Sequence, residues 1–71
     1  MMKYILAPKS KCLEYGIKIS GHITKDNSIV LNEKEVMFSP NLSGDRIEDK
    51  APIIEGVIYD TASELLNIIN S

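Results

Sequence analysis

Between Ile17 and Leu31 apolar and polar residues alternate. Ile17-Lys18-Ile19-Ser20-Gly21-His22-Ile23-Thr24 is followed by Lys25-Asp26-Asn27 and then by Ser28-Ile29-Val30-Leu31. A period of two puts successive side chains on opposite faces of a strand, so the segment predicts a β-hairpin with one buried and one wet face. Its register follows from keeping the apolar set together, because a slip of one residue turns every side chain to the other face. A two-residue Asp26-Asn27 turn would pair Ile23 with Val30 and spread apolar residues over both faces. A three-residue loop, Lys25 to Asn27, pairs Ile23 with Ile29 and Gly21 with Leu31. Ile17, Ile19, Ile23, Ile29 and Leu31 then share one face, with Lys18, Ser20, His22 and Thr24 on the other. Loops of this length end on a left-handed residue, which Asn tolerates. Gly21 leaves a gap on the apolar face, expected beneath a bulky neighbour such as Leu31, Phe38 or a tyrosine.

The same reading extends to both ends of the chain. Lys3 to Ala7 has the β-branched and aromatic content of a short strand that Pro8 stops. Ser10 to Tyr15 predicts a short helix with Leu13 inward and Gly16 just past its C-terminus. Asn32 can cap a helical turn with Glu35 as reciprocal partner, although Glu35 to Phe38 would also fit a third strand. Ser39 to Gly44 is loop. Asp45, with Glu48 three residues on, predicts a helix start with Ile47 and Ala51 inward, ended near Lys50 by Pro52. Pro52 to Tyr59 reads as a last strand with Gly56 as a bulge. Asp60 then caps a helix from Thr61 to about Asn70, in which Ala62, Leu65, Leu66 and Ile69 form one stripe and Ile68 widens it. The expected fold is α+β: a single domain over residues 1–71, with a small, mostly antiparallel sheet built on the central β-hairpin and packed against the C-terminal helix.

Size narrows the function classes. A chain of 71 residues holds one domain and buries only about 60% of its unfolded surface. Dimerisation or docking on a partner is a common remedy at this size. The short apolar run near the N-terminus predicts neither a signal peptide nor a membrane span. A cytoplasmic protein without membrane attachment is therefore the expectation. The heavy use of Ile, Lys and Asn beside a single Arg suggests an AT-rich genome, such as that of a low-GC bacterium, a phage or a mobile element.

Candidate chemistry is sparse. His22 is the only histidine, and no spacing gives it a nucleophile or an orienting carboxylate. Cys12 is the only cysteine; Lys9 and Lys11 nearby would favour its thiolate, whereas a helix position favours a small buried side chain. Asp45, Glu48, Asp49 and Glu55 form an acidic run without the spacing of a calcium loop, and the four glycines stand apart rather than in a phosphate-binding loop. No catalytic residue, metal site or cofactor is expected. The net charge is −2, and only Lys3, Lys9 and Lys11 approach a basic cluster, which disfavours nucleic acid as a partner. Tyr59 to Leu66 resembles the opening of the DNA-binding helix-turn-helix of excisionase-type proteins over eight residues. Those families place the paired leucines about a turn later and follow them with a recognition helix, not expected before Ser71, so the stretch reads as a capping pattern.

Phe38, Leu42 and Ile68 lack an obvious place in the core. Phe38 and Leu42 flank Pro40 and either plug the core beneath the loop or form, with Ile68, an exposed patch that binds a protein. The leading expectation is a small regulatory protein without catalytic activity that occludes or bridges a protein partner or a second copy of itself. The alternative is a nucleic-acid-binding accessory protein using Lys3, Lys9 and Lys11; an enzyme or ligand carrier using His22 or Cys12 ranks last.

Overall fold

The computed structural model describes residues 3–19, 21–60, 64, 66 and 67. The architecture is α+β, with three antiparallel strands in one sheet and short helices on one of its faces. Strand β1 (Tyr4–Pro8) lies in the centre, between β2 (Ser28–Asn32) and β3 (Val57–Tyr59). The β1–β2 register pairs Ile5 with Leu31 and Ala7 with Ile29, while β1 meets β3 through Ile5 and Ile58. Ile5, Ala7, Ile29 and Leu31 are all buried. The period of two thus gathers one apolar face onto the core.

Within residues 3–60, four short helices cover that face. They are α1 (Lys9–Glu14), α2 (Glu33–Met37), α3 (Ile47–Lys50) and a 3₁₀ turn, η1 (Ala51–Ile54). Each contributes to the core: Cys12 from α1, Val36 from α2, Ile47 from α3, and Ala51 and Ile54 from η1. None is long enough to be stable alone, so packing holds them. The expected C-terminal helix falls mostly outside the described residues. Glu64, Leu66 and Asn67 are helical, and Leu66 is 53% exposed.

The hairpin keeps its register but not its central place. Ile23 pairs with Ile29 in a single bridge, closed by Thr24 N–H to the Ser28 carbonyl (2.8 Å) and Val30 N–H to the His22 carbonyl (3.0 Å). Asn27 ends the three-residue loop at φ 65°, the expected left-handed position. The strand does not continue upstream, and Ile23 is exposed at the sheet margin. A side chain at Gly21 would collide with the Val30 carbonyl oxygen. The neighbour over this glycine is therefore backbone, rather than the bulky side chain expected.

The ends of two helices explain further departures. After α1, Gly16 N–H donates to the Leu13 carbonyl (3.1 Å) and Ile17 N–H to the Cys12 carbonyl (2.8 Å), with Gly16 left-handed at φ 71°. This is a Schellman closure, which brings the residues at its two ends together. Here they are Cys12 and Ile17, both buried, so Cys12 points inward and Leu13, expected there, is 58% exposed. Pro52 does not begin a strand. It sits in the first turn of η1, where no backbone donor is required. A second Schellman closure follows, with Gly56 N–H on the Ala51 carbonyl (2.8 Å) and Glu55 left-handed at φ 55°. Only Val57 to Tyr59 remain as strand. Gly56 is a point of close approach: a β-carbon there would lie 2.6 Å from Ile5 Cγ2. Helix α3 ends at Lys50 as expected, with Arg46 rather than Asp45 in the N-cap position.

Candidate functional site

Asn32 ends β2 and caps α2. Its Oδ1 accepts from Glu35 N–H and its Nδ2 donates to Glu35 Oε1, each at 2.9 Å. The second bond fixes the Glu35 carboxylate and leaves Oε2 buried without a hydrogen-bond partner. One turn further, Ser39 is only 9% exposed and its Oγ also lacks a partner. Both residues line a cavity of about 240 Å³ together with Gly16, Ile17, Lys18 and Pro40. Buried polar atoms are nearly always satisfied in folded proteins, so two oxygens enclosed without a protein partner, on residues four apart, set this place apart.

The walls are held from several sides. The left-handed Gly16 turns the chain from α1 into Ile17 and Lys18. Asn41 Nδ2 donates to the Tyr15 carbonyl (2.7 Å), tying the loop after α2 to the end of α1. Lys50 is buried, and its Nζ donates to the carbonyl of Met37, the last residue of α2, at 2.7 Å. A cation at a helix C-terminus satisfies a carbonyl left over by the helix and complements its dipole. Phe38 directly precedes two lining residues, Ser39 and Pro40, and is 80% exposed.

Burial raises the pKa of Glu35 above the ordinary glutamate value, because removal from water penalises the carboxylate. The Cys12 thiol is raised chiefly by its own burial, with the Glu35 charge adding to the effect. A raised, buried thiol is a poor nucleophile, so Cys12 belongs to the core.

The residues proposed from sequence do not converge here. Phe38 is at the surface, Leu42 is in the core at 4% exposure, and Ile68 lies outside the described residues. Leu42 is thus the plug beneath the loop rather than part of an exposed patch, and Phe38 is at the surface. His22 is exposed, as expected of the wet face. Lys3 pairs with Glu48 (3.3 Å), while Lys11 pairs with Glu14 (3.4 Å) and Glu55 (3.5 Å). The basic cluster is therefore interleaved with carboxylates rather than presented as one positive face. The acidic run is likewise dispersed into these pairs and Arg46–Asp49 (3.8 Å). Among the described residues no group of three or more His, Cys, Asp or Glu side chains could hold a metal ion, and no helix is long and apolar enough to cross a membrane.

Sequence reasoning passed over Glu35, Ser39 and Lys50 as functional positions. Glu35 was visible only as a capping partner of Asn32, and Ser39 only as the start of a loop. Comparison of the chain with protein-family profiles, curated proteins and solved structures finds no match in any of the three.

Proposed function

We propose that the chain is a small protein-binding domain without catalytic activity, an accessory or regulatory factor that engages a protein partner through the surface around Phe38. The observation that carries this reading is the 80% exposure of the only phenylalanine. Exposed aromatic side chains are favoured anchors, since they bury much apolar area at little entropic cost. The ion pairs at Lys3 and Lys11 favour a protein over nucleic acid. The composition, rich in Ile, Lys and Asn, supports a cytoplasmic factor of bacterial, phage or mobile-element origin. Occlusion or bridging of the partner is its mode of action, and a second copy of the chain is one form the partner can take.

The test is affinity capture from source-cell lysate, with and without nuclease, using wild-type protein, Phe38→Ala and Phe38→Glu. A protein that survives nuclease and is lost with both variants supports the reading, as does a dimer in sedimentation that both variants dissociate. Capture indifferent to Phe38, or abolished by nuclease, refutes it.

A further inference from the structure

We infer that the outer edge of β3 pairs antiparallel with β3 of a second copy of the chain, in a register centred on Ile58. The inference does not rest on the reading of the Phe38 surface.

The two edges of the sheet differ. The outer edge of β2 is closed by the chain that precedes it: Val30 N–H donates to the His22 carbonyl (3.0 Å), Thr24 N–H to the Ser28 carbonyl (2.8 Å) and Ser28 N–H to Thr24 Oγ1 (3.1 Å). The direction of the β3 bonds follows from β1. Glu33 N–H donates to the Lys3 carbonyl and Lys9 N–H to the Asn27 carbonyl, each at 3.0 Å, so odd-numbered positions along β1 bond towards β2. In an antiparallel ladder the N–H and C=O of one residue point to the same side, and those of the next residue to the other. Tyr4 and Leu6 therefore bond towards β3, where their partners are Tyr59 and Val57. Ile58, between these two, turns its N–H and C=O outward. Among the described residues neither group is met by a hydrogen-bond partner. The strand Val57-Ile58-Tyr59 carries no charge and no proline to guard this edge, so only its shortness blunts it.

A second copy fits because the strand complements itself. With Ile58 opposite Ile58 on a two-fold axis, each N–H meets the other copy's C=O in one isologous contact. In the flanking pairs, where side chains approach most closely, Val57 of each copy lies opposite Tyr59 of the other. An aromatic ring thus covers each Val57, which is 54% exposed in the single chain. Asp60 falls opposite Gly56, so no carboxylate faces another there. A dyad at Val57 would instead require Gly56 N–H, already given to the Ala51 carbonyl (2.8 Å), and would set Tyr59 opposite Glu55. A dyad at Tyr59 would take the other copy's ring off Val57. Tyr4, Leu6 and Val30 share the outer face with Val57 and Tyr59 and stand outside the core, so the pairing carries one apolar sheet face across the axis. An unrelated strand would need pockets for its alternate side chains, whereas a second copy brings Tyr59 with it.

The experiment is sedimentation of the full chain from about 10 μM to about 1 mM, because a contact this short lies at the weak end of specific interfaces. The expected result is a reversible monomer–dimer equilibrium. Val57→Lys puts a charge on the exposed edge and should weaken association about tenfold or more, with circular dichroism as the check of its fold. Disulfide formation reads the register. Val57→Cys and Tyr59→Cys oxidised separately should stay monomeric, whereas their mixture should give a linked heterodimer, since such flanking pairs hold their Cα atoms roughly 4.5 Å apart, within disulfide reach. Wild type, whose Cys12 is buried, is the control. A monomer at every concentration, association indifferent to Val57→Lys, or linkage of either cysteine variant with itself as fast as in the mixture refutes the pairing. Phe38→Ala should leave the equilibrium unchanged. A dimer that it dissociates belongs to the Phe38 surface and overturns the β3 assignment, whereas a β3 dimer without any Phe38-dependent capture refutes the protein-binding reading alone.

Discussion

Phe38 and Leu42 flank the same proline, and the fold gives them opposite duties that unfolding experiments should separate. Leu42 is 4% exposed and Phe38 is 80% exposed. Leu42→Ala removes buried methyl groups next to a core it shares with Val36 and Ile47, which costs about 2–5 kcal/mol by transfer and cavity terms. A domain of 71 residues has a total stability of roughly 4–11 kcal/mol, so the loss is a large share of the whole. At about 4–8 °C per kcal/mol, the midpoint should fall by at least about 8 °C. Phe38→Ala removes a side chain that is already in water, and its cost should stay within about 0.5 kcal/mol, less than about 4 °C. Thermal and urea unfolding followed by far-ultraviolet circular dichroism measures both. Partner capture should report the reverse order, with Phe38→Ala losing the partner while fully folded. Equal destabilisation by the two substitutions would sink the argument, because it would mean that Phe38 is also a core residue and has no surface role.

Three further outcomes follow from the packing and the titrating groups. Gly56→Ala places a methyl 2.6 Å from Ile5 Cγ2 and 3.1 Å from the Ala51 carbonyl oxygen; it should cost about 1–3 kcal/mol by overpacking, and an unchanged urea midpoint would show that Ile5 yields freely. Cys12 should resist alkylation at neutral pH and react only as urea unfolds the domain, because its thiol is buried and its pKa raised; native labelling as fast as that of the unfolded chain would refute its core assignment. The raised pKa of Glu35 gives a definite sign to a pH effect. Between the unfolded value of about 4.3 and the higher folded value, the native state holds more protons, so the contribution is fully present below the unfolded value and stability falls as pH rises through this window. Asp26 and Glu48 are lowered in the fold and act oppositely, losing stability as pH falls. The difference between wild type and Glu35→Gln isolates the effect: their urea midpoints should diverge in favour of the variant as pH increases, and a constant difference would contradict it.

Local patterns were legible where one segment determines its own geometry. The register of Ile23 with Ile29, the left-handed Asn27, the cap of α2 by Asn32 and the glycine after α1 are all short-range consequences of side-chain period, turn chemistry and capping. What escaped was set by partners distant in the chain. Whether Ile17 to Thr24 continues as a strand depends on how closely Gly21 meets β2, and which strand is central depends on β1 finding neighbours on both edges. Pro52 misled for a different reason: proline is equally at home before a strand and in the first turn of a helix, and only the closure through Glu55 and Gly56 selects η1. Cys12 is buried as its residue type favours, but Leu13 is turned outward because the turn after α1 joins Cys12 to Ile17, which no helical stripe of six residues could reveal.

The candidate site was hidden for a related reason. Glu35 has a local reason to exist, as the side chain that receives the Asn32 amide, and that reason accounts for one of its two oxygens. The burial of the other oxygen is a tertiary effect that no local pattern reveals. Ser39 is more telling, since a loop residue whose hydroxyl is buried without a partner serves neither a cap nor a turn. Stability alone would favour alanine at that position and a neutral side chain at Glu35, because each would remove an uncompensated polar group. A sequence locally consistent elsewhere, in its caps, its left-handed turns and its alternating strands, breaks that consistency here. The Glu35 and Ser39 oxygens therefore mark where the cap of α2 and the loop after it override polar satisfaction.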